Sequence, residues 1–210
     1  MTQTTRTSVS RLAARFLAVA AMTSCLAAAA PVEQADANRS NCRSTGRTVA
    51  VNPAGRVYVP RGSDLLRACS FRTGRSYAIE PGYSERGLVR LSGSLVAYDD
   101  IDSSTRSGPL RSAVEITNLA TGRRRRVVMR DAALAATDLV LKPNGSFAEI
   151  RRVGPFDPTL QTFARQVRRF DRRGTRVLDT GEAISPRSLS LERSVIRWRR
   201  GGQARRATLR

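Results

Sequence analysis

Apolar and polar positions alternate along this chain in short paired runs, each pair hinged on a Gly-containing turn. The first pair is Val49-Ala50-Val51-Asn52-Pro53-Ala54-Gly55-Arg56-Val57-Tyr58-Val59. The pattern returns at Leu88 to Tyr98 around Gly93, at Leu139 to Ile150 around Gly145, and more weakly at Leu189 to Trp198. Alternation with period two predicts strands rather than helices: Ile196 and Trp198 fall on one side, Val195, Arg197 and Arg199 on the other. Glycine suits the turns because hairpins need positive φ, which a Cβ resists.

Each pair is followed by a second one. Leu65 to Phe71 leads into a turn at Thr73-Gly74-Arg75, Ala113 to Asn118 into Thr121-Gly122-Arg123, and Gln166 to Phe170 into Arg173-Gly174-Thr175. Gly74, Gly122 and Gly174 stand 48 and 52 residues apart, and Gly93 and Gly145 stand 52 apart. Two independent markers with one period define a structural repeat, in which a unit buries its apolar face only against its neighbours. The expectation is an all-β, β-propeller-like array of three to four small antiparallel sheets. Its units cover about 47–80, 88–130, 138–180 and 188–209, and with a short fourth unit a four-bladed ring, a partial propeller and an open curved array all fit. A plain β-sandwich is the competing arrangement. Asp131 to Ala136 could form a single helical turn, and Asp171 to Gly174 reads as a hairpin turn.

The connections inside the units differ. Unit one has a short link near Pro60 to Asp64, while units two and three carry long ones, Asp99 to Arg111 and Arg152 to Ala164. Equivalent loops of a repeat protein emerge on one side, often the binding face. The residues expected on such a ligand face are Asp99, Asp100, Asp102 and Arg106 from one loop, with Arg151, Arg152, Phe156 and Asp157 from its neighbour.

Lys142-Pro143-Asn144-Gly145-Ser146-Phe147-Ala148 resembles the Pro-Asp-Gly turn motif of TolB-like and WD-repeat-like β-propellers. Ile116-Thr117-Asn118-Leu119-Ala120-Thr121-Gly122 resembles the outer-strand turn of the same families. The likeness runs from about residue 47 to 209, lacks the Trp-Asp signature, and offers fewer units than the usual 4–8 blades. It implies a fold and is nearly silent on function, because propellers host many.

Charge sharpens this picture. The 210 residues hold 37 basic and 17 acidic side chains, a net charge of +20, and Lys142 is the one lysine. Such a surface attracts polyanions. A GC-rich coding bias would explain arginine over lysine better than it explains the net charge. Arg6, Arg11 and Arg15 precede an apolar run from Phe16 to Ala30, too short to span a bilayer comfortably. With Ala35-Asp36-Ala37 as an A-x-A cleavage site, residues 1–37 read as a secretory signal peptide and 38–210 as an exported domain without a transmembrane helix. Ala28 to Ala30 offers an earlier cleavage site. Met22-Thr23-Ser24-Cys25 loosely resembles a lipobox, which would make the protein a lipoprotein through Cys25. The mature chain then keeps two cysteines, Cys42 and Cys69, and an even pair in an exported protein predicts a disulfide.

Little in the chain suggests catalysis. Histidine is absent, which removes the commonest general base and zinc ligand. There is neither a P-loop nor a G-x-G-x-x-G sequence, and no cofactor is implied. Asp99, Asp100 and Asp102 could hold a hard cation, but their spacing matches no EF-hand. Arg123 to Arg126 can place at most two arginines on one strand face, and Phe170 and Trp198 occupy inward strand positions. Three functions fit. The first is an exported, non-catalytic binding module for a protein or another cell-envelope component. The second is an arginine-rich binder of anionic polymer at the cell surface. The third is a metal-assisted propeller hydrolase or lactonase built on the Asp99 cluster.

Overall fold

The computed structural model describes residues 42, 45–80, 88–102, 111–129, 134–157, 159 and 162–210. The signal-peptide and Cys25 readings and residues 131–133 of the Asp131–Ala136 turn lie outside the described residues, while Ala136 opens a strand. The described chain is all-β. Sheet I comprises β1 (Gly46–Asn52), β2 (Gly55–Pro60), β3 (Leu66–Ser70) and β4 (Ser76–Ile79). Sheet II comprises β5 (Val89–Ser92), β6 (Leu95–Asp102), β7 (Arg111–Asn118) and β8 (Arg124–Val128). Sheet III comprises β9 (Ala136–Leu141), β10 (Phe147–Asp157), β11 (Thr162–Asp171) and β12 (Gly174–Gly181). Sheet IV has three strands, β13 (Ser190–Glu192), β14 (Val195–Arg200) and β15 (Gln203–Thr208). All are antiparallel meanders in chain order, and none closes into a barrel.

The turns have the chemistry their residues demand. Gly74, Gly93, Gly122, Gly145 and Gly174 all have φ between +54° and +95°. Gly55 serves differently, since a Cβ there would lie 2.5 Å from the Cys69 carbonyl oxygen of the neighbouring strand.

The sheets stack face to face as an incomplete blade-like array. The leading strands follow one another, β1 against β5, β5 against β9 and β9 against β13, with no comparable packing of β13 on β1 among the described residues. Three apolar layers fill the gaps. Val57, Ala68, Ile79, Val96, Tyr98 and Leu119 lie between sheets I and II. Ala97, Val114, Ile116, Leu139, Leu141, Phe147 and Phe170 lie between II and III. Val140, Ile150, Val167, Ile196, Trp198 and Leu209 lie between III and IV. Burying apolar area contributes about 25 cal/mol per Å², so these layers, not individual sheets, carry the stability. Phe147 and Phe170 stack with centroids 4.4 Å apart, and Trp198 is buried, so both inward aromatics belong to the core.

The two end faces of the array differ from the layers between. On the free face of sheet I, Cys42 is disulfide-bonded to Cys69 and packs with Tyr58 and Phe71. Arg56 sits 4.8 Å over the Tyr58 ring and donates to the carbonyls of Cys42 and Gly46. This disulfide therefore pins the chain before β1 across an otherwise open sheet. The far end, sheet IV, presents arginine instead.

Strand lengths correct one expectation. Asp99, Asp100 and Asp102 are residues of β6, and Arg151, Arg152, Phe156 and Asp157 are residues of β10, not of loops. Ladder pairing continues through Asp102↔Arg111 and Asp157↔Thr162, with a register shift between Val153 and Phe156. The polar sequence looked like loop because its charges are neutralised by residues distant in sequence, Asp99 by Arg151 on sheet III and Asp100 by Arg126 on β8.

Candidate functional site

The expected ligand face divides when its residues are placed. Asp99 and Arg151 come together, fully buried, between sheets II and III. Arg151 lies on the same face of β10 as Phe147 and Glu149, one residue alternating with the next. Its NH2 donates to Asp99 Oδ1 at 2.7 Å and to Glu149 Oε2 at 2.8 Å, and its Nε donates to Glu149 Oε1 at 3.0 Å. NH1 donates to the Leu134 carbonyl at 2.8 Å and to the Ser112 hydroxyl. Ser112 in turn donates to Asp99 Oδ1 at 3.3 Å, and Asp99 Oδ2 accepts the Ala136 amide at 3.0 Å.

The electrostatics follow from one guanidinium shared by two carboxyls in a buried interface. Burial pushes the Asp99 carboxyl above its ordinary value, although Arg151 and the Ala136 amide pull the other way. Burial also acts against the charged Arg151, but Glu149 first and Asp99 second outweigh it and hold the guanidinium charged. This cluster is a structural latch between sheets, closed to any ligand.

The remaining predicted residues point elsewhere. Asp100 faces away from Asp99 and pairs with Arg126 at 2.9 Å. Asp99 and Asp100 thus do not converge on one cation, and no group of three acidic or cysteine ligands assembles among the described residues. Arg152 is exposed, 5.6 Å from the Phe163 ring centroid. It lies opposite Arg165, whose guanidinium is pulled below its ordinary value by burial and then by Arg152. The side chains of Asp102, Phe156 and Asp157 lie outside the described part, as does Arg106.

Sequence reasoning missed a second latch. Asp138 Oδ1 accepts Arg90 NH2 at 3.1 Å and the Leu139 amide at 2.9 Å, while Oδ2 accepts the Leu189 amide at 2.9 Å. Asp99 binds the amide of the first residue of β9, much as Asp138 binds the amide of Leu189, just before β13. An aspartate near the seams of units two and three was the available signal. A third internal acid, Asp179, accepts Trp198 Nε1 at 2.8 Å and Arg200 NH1 at 2.7 Å.

The consequence is a segregation of charge. Asp99, Asp138, Glu149 and Asp171 are buried. Among the described residues twenty arginines are exposed, against four acidic side chains, Asp64, Glu80, Glu182 and Glu192. The surface is thus more positive than composition alone implies, and it is the candidate binding feature. No helix of the described residues is long and apolar enough to cross a membrane. No protein-family model matches the chain, and no curated protein matches its sequence.

Proposed function

We propose that the chain is an exported, non-catalytic, β-propeller-like binding module that takes an acidic component of the cell envelope through its arginine surface. The observation that carries this reading is the inward placement of the carboxylates, which leaves exposed arginine unbalanced over the strands and turns. Arginine recognises phosphate and carboxylate bidentately, so such a surface selects anionic polymers or strongly acidic partners. The N-terminal secretory pattern and the disulfide support an extracytoplasmic setting.

The test is retention of anionic envelope polymer by the tagged mature chain across a salt series. Binding should fall steeply between 50 and 200 mM salt, as expected when several anions are neutralised. Absence of binding at low salt, or binding insensitive to salt, overturns the reading. Recovery of one discrete, salt-resistant protein partner would place recognition on shape rather than charge.

A further inference from the structure

Sheets II and III are covered on both faces by their neighbours, and sheet I carries Cys42 across its free face. Sheet IV has one face that nothing covers among the described residues. On its covered side Ile196, Trp198, Ala207 and Leu191 pack onto sheet III. Strand alternation puts Val195, Arg197 and Arg199 of β14 on the other side, and the antiparallel register sets Thr208, Arg206 and Ala204 beside them. Arg197 and Arg206 are directly opposite one another, and Arg199 is about 6.8 Å further along its strand, two residues at about 3.4 Å each. All three arginines are exposed. Arg197 pairs with Glu192 at 3.0 Å, whereas the guanidinium groups of Arg199 and Arg206 make no hydrogen bond or ion pair among the described residues.

We infer that this open face of sheet IV, with Arg197, Arg199 and Arg206 as its contacts, binds a linear phosphodiester polymer that carries no bases. The inference rests on the acidic-ligand reading above and names the place and the chemistry. Three guanidinium groups on one sheet face, flanked by the smaller side chains of Ala204 and Thr208, suit anions repeating along an extended chain. Aromatic side chains are missing from this face because Trp198 points into the interface with sheet III, so no ring here offers a stacking platform for bases. A second copy is a poor occupant: docking its sheet I would bring Arg56 and Arg67 against these arginines.

The test is equilibrium binding of poly(glycerol phosphate) to the full mature chain, with oligo-dT and polyglutamate as comparison ligands. The variant is Arg197→Gln/Arg199→Gln/Arg206→Gln, and the charge-matched control is Arg123→Gln/Arg172→Gln/Arg176→Gln. The sheet IV variant should lose at least tenfold in affinity and flatten the log–log salt dependence by about 2, at roughly 0.7 per contact. The control should lose less than threefold. Should the triple variant unfold, Arg206→Glu alone carries the same expectation of direction. Equal losses in variant and control overturn the inference while leaving the acidic-ligand reading intact, and no binding by the wild type overturns both. Oligo-dT or polyglutamate bound more tightly than poly(glycerol phosphate) overturns the choice of ligand.

Discussion

Arg151 and Asp99 stand 52 residues apart in sequence and meet at 2.7 Å with neither side chain exposed to solvent. One guanidinium there serves Asp99, Glu149, Ser112 and the Leu134 carbonyl at once. Removing it leaves two carboxyls buried without their cation. Arg151→Met should therefore lose about 3–5 kcal/mol, a large part of a domain's stability. Arg151→Met combined with Asp99→Asn and Glu149→Gln should recover most of that loss, since no buried charge then lacks a partner. Urea unfolding of the three proteins checks this; a triple variant no better than the single one would deny the charge argument.

The same cluster gives a pH dependence. The Asp99 carboxyl titrates above its ordinary 3.8 in the folded chain because burial disfavours its anion. The native state then holds a proton that the unfolded chain has released, so this contribution is complete below about pH 4 and is lost as pH rises through the raised value. Stability measured relative to Asp99→Asn should accordingly decline with rising pH over that window. A difference that stays flat or rises would assign the cluster a fully ionised Asp99.

The repeat was legible in the sequence because its signals are local. Gly74, Gly93, Gly122, Gly145 and Gly174 mark turns by positive φ, and alternation in β14 assigns Ile196 and Trp198 to the core without reference to any other strand. The Asp99 and Arg151 segments were not legible as strands. Asp99 of β6 and Arg151 of β10 are tolerated there because each finds its counterpart on the adjacent sheet, and no short window of sequence contains both. Asp138 escaped notice for the same reason, since it joins Arg90 and the Leu189 amide. Folding makes acids interior and arginine exterior, which composition cannot show.

Asp138 is the more demanding latch because it touches three sheets. It accepts Arg90 of β5, the amide of its own strand neighbour Leu139, and the Leu189 amide before β13. Asp138→Ala leaves the buried Leu189 amide without its acceptor, a cost of about 1–3 kcal/mol. Hydrogen exchange should show the Leu189 amide opening first. Uniform loss of protection across all four sheets would instead mean that the array unfolds as a single unit.

The disulfide at the opposite end acts on sheet I. Cys42 and Cys69 are 27 residues apart, for which loop closure predicts a stabilisation of about 3.5 kcal/mol. Cys42→Ser/Cys69→Ser should lower the urea midpoint correspondingly and release the segment that Arg56 holds through the Cys42 and Gly46 carbonyls. Limited proteolysis before β1 distinguishes this from a purely unfolded-state effect. Faster cleavage in native conditions is expected of the variant, and an unchanged rate would confine the disulfide's role to the unfolded chain.

Lys142 tests whether arginine would serve everywhere in this chain. It is the one lysine of 37 basic residues, and its ammonium donates to Ser194 Oγ at 2.9 Å and to the Leu209 carbonyl at 3.0 Å. The site lies where the β9–β10 turn meets the chain leaving β15, with Leu209 buried and the Ser146 hydroxyl donating to the Arg210 carbonyl. A compact ammonium can aim two donors at close, non-coplanar acceptors, whereas the planar guanidinium fork is longer and fixes its donors in one plane. Lys142→Met should cost about 1–2 kcal/mol, as two partly buried acceptors lose a charged donor. Lys142→Arg should recover less than half of that, despite keeping the charge. The fluorescence of Trp198, the sole tryptophan and a buried residue of the same interface, reports the transition in each protein. Full recovery by arginine would show that charge alone, and not the geometry of its donors, holds the end of the chain to sheet III.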